Sequence, residues 1–196
     1  MIYPIVAYGD PVLRKMCQDI SKDYPELPQL ISDMFETMYA ASGVGLAAPQ
    51  IGIPIRLFII DAEAFSDDPE LSIEEQNFLK NFKQVFINAE ILDEEGEEWV
   101  FNEGCLSIPD VREDVFRQPK ILIKYLDEKF NEQTKEFEGI AARIIQHEYD
   151  HIEGKLFTDK LSSFKKRLIK GKLNNISKGK VDVDYKMKFP LLSKKR

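Results

Sequence analysis

Residues 146–151 read QHEYDH, and they hold both histidines of a 196-residue chain. The stretch lies within 140–152, where Ile140, Ile144, Ile145 and Ile152 recur at helical spacing. On a helix, His147 and His151 share one face, about 6 Å apart. Two imidazoles so placed can bind one divalent metal. Glu148 falls beside them, able to accept a proton from a metal-activated water. That is the chemistry of metal-assisted hydrolysis: the metal lowers the water's pKa toward about 7, and the carboxylate relays protons.

A catalytic centre of this kind needs a third protein ligand and one open position. The glutamate that thermolysin-type sites place on a following helix is missing, because residues 165–180 contain no carboxylate. No further histidine exists. Cys105, Asp150 and Glu103 remain as candidates. Cys105 lies in NEGCLSIP (102–109). A lone cysteine ordinarily reads as a small buried hydrophobe, but Gly104 before it and the turn-forming SIP after it predict a tight, exposed strand edge. A thiolate with two imidazoles would leave the fourth position open. Asp150 points away from the histidine face and suits orienting a histidine.

Outward from this helix, 25–41 has apolar residues at helical spacing, and GVGLAAPQIG (43–52) reads as an apolar loop. RLFIID (56–61) reads as a buried strand, followed by an acidic loop over 62–71. SIEEQNFLKNF (72–82) opens on a capping box, Ser72 with Glu75, and predicts a short helix. Strands are expected at 84–92, 97–102 and 120–127, with 131–139 closing a hairpin. A last helix is expected near 161–174, and an irregular tail after Gly179. Together these predict an α+β fold, with mostly antiparallel sheets packed around a central HExxH helix and a C-terminal helix.

Composition agrees with a globular chain: 43% hydrophobic and 31% charged residues. No stretch approaches the roughly 18 apolar residues of a membrane span, and MIYPIVAYGDPVLRK at the start lacks a secretory-signal pattern. Two cysteines, Cys17 and Cys105, make no disulfide framework, so a reducing cytoplasm is the expected setting. The net charge of −7 is uneven: residues 160–196 carry 13 Lys and Arg against Asp182 and Asp184, a net of +11, and residues 1–159 a net of −18. A basic end on an acidic body suggests a polyanionic partner.

Three segments in order, GVGLAAPQ (43–50), EGCLS (103–107) and QHEYDH (146–151), resemble the peptide deformylase family, as does YGDPVLR near the start. The resemblance covers most of residues 1–175 as one catalytic domain and leaves 176–196 as a basic tail. It implies removal of the formyl group from the N-terminal formyl-methionine of nascent polypeptides. It implies that Cys105, His147 and His151 hold one metal, with Fe(II) expected and Zn(II), Ni(II) or Co(II) possible in purified protein. Glu148 would be the general base and then the acid. The Gln50 amide and the Leu106 backbone N–H would stabilise the oxyanion, and Gly45 would allow close approach of substrate.

The same resemblance implies that the peptide pairs with backbone around Val44 and Gly104, with Glu103 among the substrate-binding residues. Val44, Ile140 and Ile144 would line the methionine pocket, with Arg112 at its rim and Asp150 paired with Arg117. The acidic stretch 62–83 is longer than in compact members and is expected to shape one rim of the cleft. The basic C-terminal region would contact ribosomal RNA. Two other classes fit parts of the sequence. A metallopeptidase would cleave peptide bonds rather than release formate, and a non-catalytic binder would lack Glu148 or Gln50.

Overall fold

The computed structural model describes residues 1–191, so 192–196 of the basic tail lie outside the described residues. In chain order the strands are β1 (Ile5–Val6), β2 (Gly45–Ala47), β3 (Leu57–Asp61), β4 (Lys83–Glu95), β5 (Trp99–Cys105), β6 (Ile108–Arg117), β7 (Lys120–Leu126), β8 (Glu132–Glu138) and β9 (Met187–Lys188). The helices are α1 (Leu27–Ala40), α2 (Ile73–Lys80), α3 (Gly139–Ile152) and α4 (Ser163–Ser177). Five strands form an antiparallel sheet in the order β2-β3-β4-β7-β8, and β5 and β6 form a separate antiparallel ribbon. The α+β expectation therefore holds, with one parallel strand pair among the described residues, β1 with β9, and a lone parallel bridge between Gln18 and Ile55.

β3 shows why the sheet sits at the centre. Leu57 and Ile59 join the cluster that includes Leu30, Met34 and Met38 of α1. Phe58 and Ile60 join the cluster that includes Ile140, Ala141 and Ile145 of α3. Alternate side chains leave opposite faces of a strand, so a strand covered on both faces reads as an unbroken apolar run. The histidine helix α3 is thus clamped on the sheet by its apolar side. A third cluster joins β6 to α4 through Val111, Val115, Ile169 and Leu173.

Several elements differ from expectation. The 43–52 loop contains β2 and a 3₁₀ turn over Ala48–Ile51. The segment after Cys105 does not stay a turn: it becomes the ten-residue strand β6. The region after Gly179 carries β9 and is not wholly irregular. α2 forms as predicted, with Ser72 Oγ accepting from the Glu75 N–H at 3.2 Å.

Candidate active site

Cys105 ends β5 at a register slip in the β5–β6 ribbon, where it pairs with Ile108 across a tight turn. This presents its thiol to α3. The Cys105 Sγ lies 3.3 Å from His151 Nε2. The candidate ligand atoms of Cys105, His147 and His151 all lie within 4.8 Å of one another. One thiolate and two imidazoles at such separations fit a single Zn(II)-, Fe(II)-, Co(II)- or Ni(II)-like ion. The two histidines sit in unlike electrostatic surroundings. Burial resists charge on His147, yet Cys105 and Glu103 beside it raise its pKa well above the ordinary value. Burial and that neighbouring cation hold His151 well below its ordinary value, in the neutral form that ligates metal.

The other two sequence candidates for a third ligand are engaged elsewhere. Glu103 Oε2 meets His147 Nδ1 at 2.9 Å and accepts from Arg117 Nη2 at 3.0 Å; Oε1 accepts from Arg117 Nε at 2.7 Å and Arg143 Nη1 at 2.9 Å. Asp150 accepts from Arg117 Nη1 at 2.7 Å and reaches no histidine directly. The result is a buried chain, Asp150–Arg117–Glu103–His147, that leaves the His147 Nε2 to face Cys105 and His151. Burial alone would raise the Glu103 pKa, but His147 and Arg117 outweigh it and hold the carboxyl well below the usual range. Arg143, unremarked in the sequence reading, braces this chain and is 2% exposed. Its isolated position in an apolar helix pattern was the one available signal.

Glu148 is different. Its Oε2 is buried and has no hydrogen-bond partner among the described residues. Burial pushes its pKa up to about 7, with His147 opposing and the Glu103 charge adding. Gly45 makes the room: a Cβ there would stand 2.5 Å from Glu148 Oε1. Gln50, 1% exposed, accepts the Ala47 N–H at its Oε1 (2.8 Å), which turns the amide nitrogen toward Ser107 Oγ (3.3 Å) and Cys105 Sγ (3.6 Å).

These groups open on a cleft of about 770 Å³. Val44, Gly45, Gln50, Glu103, Gly104, Cys105, Leu106, Arg112, Ile144, His147 and Glu148 all line it. Ile140 does not. It is buried in the core behind the wall. His151 is likewise buried at 1% exposure. Phe65 and Phe101, ring centroids 6.2 Å apart, line the cleft and were missed in the sequence. Phe65 is the cleft residue supplied by the acidic 62–83 stretch. Gly104 matters by its lack of a side chain, since a Cβ would meet Arg112 Nη1 at 2.8 Å.

The family model described as polypeptide deformylase matches residues 2–167. The chain is similar over its whole length, and over the whole of each relative, to the peptide deformylases of Christiangramia forsetii (63% identical) and Flavobacterium psychrophilum (64% identical). A crystal structure of a peptide deformylase from Legionella pneumophila superposes with a TM-score of 0.76 at 38% identity, over 92% of this chain and 98% of that one. No helix among the described residues is long and apolar enough to cross a membrane. The chain therefore belongs to the polypeptide deformylase family, metal-dependent hydrolases that remove the N-formyl group from newly made polypeptides.

Proposed function

We propose that deformylation by this chain turns on Glu148, and the observation that carries this is its buried, unpartnered oxygen beside the Cys105–His147–His151 set. A divalent metal held by Cys105, His147 and His151 would supply Lewis acidity toward the formyl oxygen and the attacking water. Glu148 accepts the proton of that water. As the formyl carbon–nitrogen bond breaks, Glu148 returns the proton to the departing amine, and formate leaves. Gln50 Nε2 and the Leu106 N–H donate to the oxygen that gains charge. Glu103, fixed by two arginines, keeps His147 in one orientation.

The substrate backbone lies between Val44 and Gly104 as an added strand. The methionine side chain takes the apolar wall formed by Val44 and Ile144 with Phe65 and Phe101, and Arg112 stands at the rim. The ion is Fe(II), which suits a thiolate–imidazole set and makes the thiolate ligand sensitive to oxygen. A reducing cytoplasm protects that ligand. The basic C-terminal region, α4 included, meets ribosomal RNA. Co-sedimentation with ribosomes should fall steeply with salt and be lost when Arg167, Lys170 and Lys172 become Glu.

The direct test is formate release from a formyl-Met tripeptide, using protein prepared anaerobically with Fe(II) and a Glu148→Ala control. Release that the control loses supports the assignment. A folded, metal-loaded chain that releases no formate would end it.

A further inference from the structure

We infer that residues 182–185 are part of the active site, and that Tyr185 is a positioning residue for the turn that carries the Leu106 N–H. This rests on the deformylase reading and goes beyond it, because the segment follows the end of the family match at residue 167. Asp182, Val183, Asp184 and Tyr185 line the cleft. The Tyr185 hydroxyl donates to the Leu106 carbonyl at 2.8 Å. The next carbonyl, that of Ser107, accepts the Tyr8 N–H at 2.8 Å. Two successive carbonyls of the turn are thus gripped by tyrosines from opposite ends of the chain, one by its side chain and one by its backbone.

The turn needs such support. It joins β5 to β6 where the ribbon's register slips, between Gly104 and Cys105, so the regular ladder is interrupted there. The same turn carries the Cys105 thiol and, in Ser107, the hydroxyl that meets Gln50. A donor aimed at a developing charge must be held within about 0.5 Å of its working position. Fixing the Leu106 carbonyl holds the Leu106–Ser107 peptide unit, which lies one Cα from the unit that carries the Leu106 N–H.

Tyr185 is itself placed by the strand that follows it. The Ile5 N–H donates to the Lys186 carbonyl at 2.8 Å and the Ala7 N–H to the Lys188 carbonyl at 2.9 Å, so β9 is laced to β1 on both sides of the pair. The Leu191 N–H donates to the Ser177 carbonyl at 3.0 Å, tying the far end to α4. The Tyr185 ring packs on the cluster shared by α1 and the sheet, while Phe189 packs on the cluster under α4.

Tyr185→Phe keeps the ring and removes only the hydroxyl. Its kcat and KM for formate release should be measured beside the wild-type chain and Gln50→Ala, with Tm and bound metal recorded for each. A loosened turn costs transition-state stabilisation and leaves ground-state binding alone. The expected result is a kcat lowered about tenfold, with KM within about twofold, and Tm and metal content unchanged. A wild-type kcat in Tyr185→Phe overturns the inference, as does a loss that tracks Tm or metal content. If Gln50→Ala is impaired while Tyr185→Phe is not, the inference falls and the deformylase reading stands. No formate from the wild-type chain would remove the reading itself.

Discussion

Glu103 and Glu148 stand on either side of His147 at the same exposure, 4% each, yet their acidities diverge. Glu103 is held well below the ordinary carboxylate range, and Glu148 is pushed up to about 7. Burial raises both. What separates them is company: two arginines and an imidazole surround Glu103, while one Glu148 oxygen meets no donor. Environments that drive two neighbouring carboxyls apart assign one to structure and the other to proton transfer. Partner number, not depth, decides the fate of a buried acid here.

The sharpest way to break that contrast is Glu148→Gln, which keeps shape and removes the base. Formate release should fall by up to about ten-thousandfold while bound metal stays, as a colorimetric metal assay would show. Next comes Arg117→Leu, which leaves Glu103 and Asp150 buried with too few partners. Denaturant titration should report a loss of about 3–5 kcal/mol, and an unchanged midpoint would refute the ionic chain as a structural support. Gln50→Ala removes one oxyanion donor. Its kcat should drop about a hundredfold, or about 3 kcal/mol, with little change in KM.

The fourth test concerns stability of the metal-free chain. A carboxyl whose folded pKa is raised from 4.5 to about 7 is a burden once ionised, so folding loses stability as pH climbs from about 4.5 to 7. Glu148→Gln should therefore stabilise the metal-free chain by about 1–3 kcal/mol at pH 8 and by almost nothing at pH 4. A gain that is equal at both pH values would contradict the acidity assigned to Glu148. The smallest effect belongs to an exposed pair of the same chemistry, Arg14 with Asp159, whose side chains are 43% and 42% exposed. Arg14→Ala should cost less than about 1 kcal/mol by the same titration, against several for Arg117.

Much of this was legible in the sequence because it is local. The apolar spacing of α3 fixes which face His147 and His151 share, and β3 announces its two-sided burial by an unbroken apolar run. β6 was missed for a physical reason. Ile108 is out of phase with Val111 and Val115, since the strand begins in a turn and Asp110 takes a left-handed φ of 60°, and the inward positions between and after the two valines hold Glu113 and Arg117. Arg143 carries a charge that sequence reading sends to the surface, and Arg117 is placed only by the resemblance, as the partner of Asp150. Their burial depends on Glu103, which reaches both only after β5, β6 and α3 have packed. Phe65 and Tyr185 reach the cleft by long-range contacts, and no periodicity encodes those.

The pairing of β1 with β9 also bears on how the molecule matures. These strands come from opposite ends of the chain, and their two-residue ladder is short. Contacts that distant in sequence form late, because closing the loop between them carries an entropic penalty before any bond repays it. Most of the sheet and the histidine helix can assemble before residues 187–188 leave the ribosome. The strap then joins last and, being brief, opens most readily in local fluctuations. Hydrogen exchange at the Ile5 and Ala7 amides should accordingly outpace exchange in β3, and the chain would reach full competence one step after it is folded.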